Sequence, residues 1–454
     1  MKTLNNKIGL EIHTTLNTKS KLFCSCKNEP SPKPNTNVCE ICLGHPGSKP
    51  SPNESAVKKI IRLAKYLNCT IRDTLIFSRK SYFYPDLAKN YQITQFEEPI
   101  ATNGYLIVDD TKIRIKRIHL EEDPASIQRN KKTLIDYNRS GTPLAEIVTE
   151  PDIKDSEQAR KFMKTILTYL KYANTYDEGK SLIKADVNVS SKKHDFLRAE
   201  VKNVTGFKDI QLAIDYEIQR QKTDVVKKQE TRMWSAKKQT TSLMREKETE
   251  SDYGYIYEPD IAPIKIPKNV LTMEIGQTPK QKKEEYIKKG VSIDDAKIIS
   301  NDPNLATFFE ETIKQSNPKQ TSNILRTQLL QILDYNEINI KESKITSKGF
   351  AKTINMYIND EINDKALTKL LRAQVIENIN PNKYVEEKGL KQIRNDDAIQ
   401  EFAKQAIQEN PESVQDYKNG EEKALNYLVG QVMRKSKGKA NPQKAKRILK
   451  KLLT

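Results

Sequence analysis

Four of the chain's five cysteines fall into two close pairs, Cys24-x-Cys26 and Cys39-x-x-Cys42, twelve residues apart. Such pairs suit a tetrahedral site in which four thiolates hold Zn2+ and leave no position for water. The role expected there is structural, stapling a loop at 24–42 that is too polar to hold itself. The alternatives are an emptied site or reduced free thiols, with His45 as a lesser substitute ligand. Cys69, in the apolar-periodic run ending YLNC, reads as a core residue.

A second group is acidic. Glu11 and His13 share the polar side of one strand-like run; His119, Glu121, Glu122 and Asp123 end another; Glu146 and Glu150 lie in PLAEIVTEPD. Carboxylates and an imidazole gathered on converging strands are costly unless a cation neutralises them, and hard oxygens suit Mg2+, which would bridge the phosphates of a nucleotide. The plainer reading is a solvated acidic edge. A third segment, RKSYFYPDLAKNYQITQ at 79–95, interleaves Lys80, Tyr82, Tyr84, Asp86 and Tyr91 around a proline. Aromatic faces beside cations can stack unpaired bases, and a loop packed by its own tyrosines is the alternative. No GxxxxGK[ST] or GxGxxG run occurs, so an ATP site needs another architecture, and no GxSxG elbow offers a nucleophile.

The elements that position these groups show in the apolar periodicity. Ile8, Leu10 and Ile12 alternate with Gly9, Glu11 and His13. Ala185, Val187 and Val189 alternate with Lys184, Asp186, Asn188 and Ser190, and Ala199 and Val201 with Glu200 and Lys202. Period-2 alternation of this kind predicts half-buried strands with one polar face. An Asp155–Gln158 capping box opens a helix expected to bury Ala159, Phe162, Met163, Ile166 and Leu170. A second helix, over about 208–221, should bury Ile210, Ala213, Ile214 and Ile218. Strand runs with segregated helices predict an α+β domain with an antiparallel sheet. Helical periodicity takes over beyond about residue 292, with a further break near NINPNK at 378–383. The last 50 residues or so read as a small helical unit. One helix there carries Ala424, Leu425, Leu428, Val429 and Val432 and stops near Gly438; the next starts with Asn441 as N-cap and Pro442 in its first turn.

The 454 residues suffice for two or three domains. The net charge of +18 fits a nucleic-acid partner or a Lys- and Asn-rich coding bias. The charge concentrates in residues 433–454, with nine Lys or Arg and no acid. The opening MKTLNNKIGLEIH lacks a signal-peptide core, and no stretch has the apolar length to span a bilayer. The expectation is a cytoplasmic protein without membrane contact.

Several long segments, in order, resemble one family. IGLEIHTTLNTKSKLFCSC, PNTNVCEICLGHPG, RKSYFYPDLAKNYQITQ, IHLEEDPAS, DYNRSGTPLAEIVTEPDI and NYLVGQVMRKSKGKANP are among them. They are similar to the B subunits of tRNA-dependent Asp/Glu amidotransferases, the GatCAB complexes. The resemblance implies ATP-dependent phosphorylation of the side-chain carboxylate of Glu-tRNA(Gln) or Asp-tRNA(Asn), then amidation by ammonia. It implies a cradle-like catalytic domain resembling glutamine synthetase at 1–292, a helical domain at 293–395 and a basic helical tail for tRNA at 396–454. By motif match Glu11, His13, Glu122 and Glu146 become the leading magnesium and phosphate residues, with Glu121, Glu150 and Glu248 as weaker nucleotide contacts. Lys80 and Glu122 resemble polar groups on the path by which ammonia arrives. Tyr82, Tyr84, Lys435, Lys437 and Lys439 become tRNA contacts. The missing nucleophile fits a division of labour in which an amidase-type A subunit releases ammonia and a small C subunit clasps the two. The sequence departs from the family's wording at Ile183–Lys184, where relatives often carry Arg–Cys, and at Gly254, where Arg is common. Two rival readings are a zinc-containing RNA-binding protein without catalysis and a stand-alone zinc hydrolase using Glu11 and His13.

Overall fold

The computed structural model describes residues 6–129, 132–246, 254–393 and 395–453, and in it the alternation around Glu11 is realised as strand β1 (Asn6–Thr15). Eight further strands complete its sheet: β2 (Thr70–Ile71), β3 (Ala101–Val108), β4 (Thr111–Glu122), β5 (Pro143–Thr149), β6 (Ile183–Ser191), β7 (Arg198–Thr205), β8 (Glu230–Ser235) and β9 (Thr240–Glu246). Their order across the sheet is β9-β8-β7-β6-β1-β5-β4-β3-β2. Neighbours run antiparallel except β7 and β8, which are parallel. The expected antiparallel sheet is therefore present, with one parallel pair added. Strand β1 lies near the middle, flanked by β5 and β6, and so joins the two polar-faced halves that the sequence shows separately.

One face of the sheet is apolar and packs on three helices: α1 (Glu54–Tyr66), α2 (Ser156–Tyr172) and α3 (Phe207–Thr223). Asp155 caps α2 by accepting from Gln158 N at 2.8 Å. Ala159, Phe162, Met163, Ile166 and Leu170 on that helix are all fully buried. On α3, Ile210, Ala213 and Ile214 are buried, and Ile218 packs at the core's margin. The other face of the sheet carries the polar side chains of β1, β4, β5, β6 and β7, and the site lies there. A small second sheet, in the order Ile256–Tyr257, Ser78–Ser81, Tyr91–Thr94, brings Lys80 toward that face. Arg79, the alternate residue, donates two 2.8 Å hydrogen bonds to the fully buried Glu258 carboxylate.

The chain divides into two compact units, Met1–Thr278 and Pro279–Thr454. In the second, all the described elements are helical. The first helix of this unit, Pro279–Lys288, falls before the break expected near residue 292. Its ten residues include one deep apolar anchor, Tyr286, which packs edge-on against Phe309 in the second unit's core. Two separate cores follow, one over residues 286–390 and one over 393–453. In the latter, Ala424, Leu425, Leu428 and Val432 are buried along Glu422–Lys435. Asn441 caps Pro442–Leu453 by accepting from Gln443 N at 2.9 Å. No helix among the described residues is long and apolar enough to cross a membrane.

Candidate active site and thiolate cluster

Register decides which polar groups meet. His13 on β1 stands beside Glu146 on β5, and Glu146 stands beside His119 on β4. Glu11 pairs with Asp186 of β6 on its other side. The result is a knot of side chains around Glu146. His13 Nε2 lies 3.3 Å from Glu146, 3.6 Å from Glu121 and 3.7 Å from Glu11. His119 Nε2 is also 3.3 Å from Glu146, and Arg117 Nη2 is 3.5 Å from it. Lys202 of β7 binds Asp186 at 2.7 Å and Glu200 at 2.5 Å.

The charges are tightly balanced. Burial raises the Glu11 and Glu121 carboxyls, and the neighbouring Glu146 charge raises both further. Burial alone would raise Glu146 as well, but His119 and His13 outweigh it and hold Glu146 well below the usual carboxylate range. Burial disfavours the imidazolium of His13, yet the hydrogen bond and charge of Glu146, with Glu121 and Asp186 behind, lift it to about 10. Lys80 is likewise opposed by burial, and the fields of Tyr255, Glu121, Glu146 and Glu11 raise it on balance.

Two overlapping ligand sets result, Glu11–His13–Glu146 and His119–Glu121–Glu146, each with donor atoms within 4.8 Å of one another. Three carboxylates drawn this close, two of them reluctant to ionise, suit a divalent cation that prefers oxygen. Buried His119 Nδ1, Asn188 Oδ1 and Arg117 Nε have no hydrogen-bond partner among the described residues. All three residues line the cavity of about 460 Å3 above the knot. A polar ligand entering this cavity would satisfy groups that are costly to leave unmade. Basic and acidic residues share the walls: Lys7, Lys80, Arg117, Arg198 and Lys202 stand with Glu11, Glu121, Glu146, Glu150 and Glu200. Phe96 and Tyr255 form a stacked aromatic wall with ring centroids 3.9 Å apart.

Most of the expected residues converge, and one lies apart. Glu11, Lys80, Glu121, Glu146 and Glu150 all line this cavity, His13 sits in the knot beneath it, and Glu122 belongs to neither. Side chains alternate along β4, so Glu122 projects from the opposite face to Glu121. There its carboxylate takes hydrogen bonds from the Lys89 ammonium and from Ile93 N, the latter at 2.9 Å. Tyr82 and Tyr84 are not among the cavity's lining residues; Lys80 Nζ stands 6.0 Å from the Tyr82 ring, and Arg129 donates to the Tyr84 hydroxyl. Glu248 lies outside the described residues. His119 stood in the acidic group on sequence without a role of its own, and Asp186 and Lys202 only on polar strand faces; the strand order brings His119 to Glu146 and sets Asp186, which Lys202 binds, beside Glu11.

The four cysteine sulfurs Cys24, Cys26, Cys39 and Cys42 gather within 4.8 Å of one another. Cys39 and Cys42 Sγ are 3.9 Å apart. That matches the edge of a tetrahedron built on Zn–S bonds of ~2.3 Å, so the donor set fits Zn2+. A hydrogen bond from Cys24, together with the buried Lys21 ammonium 3.7 Å away, brings the Cys42 thiol down to about 5. His45 is exposed and outside the cluster, and Cys69 packs at the main core. The loop turns back at Gly44 (φ 70), where a Cβ would strike the Lys89 stem at 2.2 Å. Glycine is therefore required there both by conformation and by space. Lys89 in turn holds Glu122, so the thiolate loop braces that pair.

Two family models match this chain. Residues 6–272 match the GatB/GatE catalytic domain, and residues 307–453 match the GatB domain. The chain is similar to the B subunit of the aspartyl/glutamyl-tRNA(Asn/Gln) amidotransferase of Finegoldia magna, with 40% identity covering 98% of this chain and 99% of the relative. The protein of the same name from Thermotoga maritima is 41% identical, over 98% of each chain. The one from Thermoanaerobacter pseudethanolicus is 39% identical, again over 98% of each.

Proposed function

This chain belongs to the GatB family of amidotransferase B subunits, and from that premise we propose that it is the kinase and transamidase component of a tRNA-dependent amidotransferase. Its substrate is Glu-tRNA(Gln), Asp-tRNA(Asn) or both. One oxygen of the substrate's side-chain carboxylate attacks the γ-phosphorus of ATP, and the bond to ADP breaks. The lone pair of ammonia then attacks the acyl carbon of the acyl phosphate; inorganic phosphate leaves, and the added nitrogen loses its excess proton. In this reading the nine-stranded sheet serves as a cradle like that of glutamine synthetase. The ammonia comes from an amidase-type A subunit joined by a small C subunit, in a cytoplasmic complex.

The convergence of Glu11, His13, Glu121 and Glu146 on one polar sheet face carries this reading. Glu11, Glu121 and Glu146 would hold Mg2+, with His13 beside them. When bound, Mg2+ offsets the repulsion between a carboxylate and the triphosphate. Lys80, Arg117 and Lys202 present fixed positive charge to the phosphates, and Glu150 stands at the cavity wall. Positioning supplies the rest, because the two reactants meet in one cavity. Lys80 and Glu122 belong to the route of incoming ammonia: Lys80 at the cavity, Glu122 braced by Lys89 on the other side of β4. The thiolate site holds structural Zn2+ and leaves no ligand position for chemistry.

Amide formation on each mischarged tRNA, with the A, B and C subunits purified together, tests the reading. Glu146→Gln should lower ATP-dependent amidation by about 10²-fold or more, the scale on which loss of a fixed electrostatic group acts. Mischarged tRNA that stimulates no ATP hydrolysis in the wild-type complex would support the zinc RNA-binding alternative instead. Lys80→Met should impair glutamine-dependent amidation more than amidation with added ammonium. Full glutamine-dependent activity in that variant would remove the ammonia-path role.

A further inference from the structure

Beside the knot around Glu146, the same polar face carries a second group of oxygens, and this one already holds a cation. Asp186 and Asn188 are alternate residues of β6, and Asn188 pairs with Glu200 of β7, so all three side chains share one face. Glu11 of β1 pairs with Asp186 and closes the group on its other side. Lys202 stands among them, its ammonium 2.7 Å from Asp186 and 2.5 Å from Glu200. Asp186 and Glu200 are each only 5% exposed. Asn188 Oδ1 is buried and has no hydrogen-bond partner among the described residues. The knot mixes carboxylates with imidazoles, whereas this group offers oxygens alone, the donor chemistry of a hard divalent cation.

The strand is bent to put the ammonium there. Val201 pairs with Val187 and Val204 with Ala185, so Lys202 and Asn203 together oppose the single residue Asp186. Asn203 N donates to Asp186 Oδ1 at 2.6 Å and holds this bulge, with Asn203 itself at φ 56. Asparagine tolerates that left-handed conformation better than most residues, and a bulge of this kind re-aims a side chain. Burial opposes the Lys202 charge, but Asp186, Glu11 and Glu200 outweigh it and hold the ammonium well above the usual lysine range. An ammonium has three N–H bonds. Two are engaged by the carboxylates, and Lys202 lines the cavity, where the third can meet a ligand. Sites that transfer phosphoryl groups often use two divalent cations ~3.5–4 Å apart to neutralise the reacting oxygens. A lysine fixed among oxygens can supply the second charge without a second metal.

We propose that Lys202 is a built-in second cation: its ammonium takes the place among Glu11, Asp186, Asn188 and Glu200 that a second divalent ion would otherwise take, and it turns its remaining N–H to the transferred phosphoryl group. The proposal rests on the kinase reading above and deepens it, giving Lys202 a place and a partner set of its own. Mn2+ titration of the full-length chain, followed by electron paramagnetic resonance, tests it without any reaction. Lys202→Ala leaves two buried carboxylates without their counter-ion and should bind one Mn2+ more per chain than wild type. Lys202→Arg should keep the wild-type count, and adding Asp186→Asn to Lys202→Ala should abolish the extra site. Lys202→Gln, whose amide can still donate to the carboxylates, carries the same expectation as alanine should the alanine chain not fold. In the complex with the A and C subunits, Lys202→Ala should lower amidation at limiting Mg2+ by about 10²-fold and recover part of it as Mg2+ is raised. A folded alanine or glutamine variant with the wild-type Mn2+ count would overturn the proposal and reduce Lys202 to a strut between β6 and β7. That count beside tRNA-stimulated ATP hydrolysis by the wild-type complex would leave the kinase reading standing. The extra Mn2+ site, in a protein whose wild-type complex shows no such hydrolysis, would keep the cation place and discard the kinase reading.

Discussion

Glu121 and Glu122 are adjacent, chemically identical and differently placed. Alternation along a strand allows only one of two neighbours onto the polar face, and the register of β4 against β5 selects Glu121. The run HLEED contains no information on that choice, which is why both glutamates stood as candidates on sequence. Glu121→Gln should reduce Mg2+-dependent binding of an ATP analogue, whereas Glu122→Gln should leave it near wild type; calorimetric titration of the two variants checks this. The thiolates were legible because their spacing is local and their chemistry is narrow. Cys39→Ser or Cys42→Ser should release zinc, measured as metal per chain, and lower the melting temperature. Arg79 was not legible as a strut, because its partner Glu258 is distant in sequence. Arg79→Ala leaves that carboxylate buried and unpaired, and should cost about 3–5 kcal/mol in denaturant unfolding.

At the scale of elements, periodicity was a sound guide wherever one face is buried and the other wet. The α2 helix has its five expected anchors at zero exposure. Phe162→Ala should therefore cost about 3–5 kcal/mol, and Asp155→Ala about 1 kcal/mol for the lost cap, both readable from denaturation midpoints. The polar faces of β1, β6 and β7 were equally plain. Their order in the sheet was not, because β1 pairs with strands more than a hundred residues away. Two kinds of element escaped. Pro279–Lys288 carries Tyr286 as its single deep apolar anchor, too few for a period to show. The strands of the small sheet span as few as two residues, and their pairing comes from tertiary contact.

For the whole molecule, the mixed α/β unit followed by a helical one matches what composition and patterning imply. At the sheet cavity Glu11, Glu121, Glu146, Glu150 and Glu200 stand among Lys7, Lys80, Arg117, Arg198 and Lys202, so one cavity offers both cation ligands and fixed positive charge. That mixed cavity is where, in the function we propose, the substrate's carboxylate meets ATP. The central claim is that this carboxylate is phosphorylated before it is amidated. It is tested most directly by charging tRNA with glutamate whose side-chain carboxylate carries 18O and analysing the phosphate released by the purified complex. Transfer through an acyl phosphate predicts one 18O atom in each inorganic phosphate formed per amide. Amide formation with unlabelled phosphate would contradict the account.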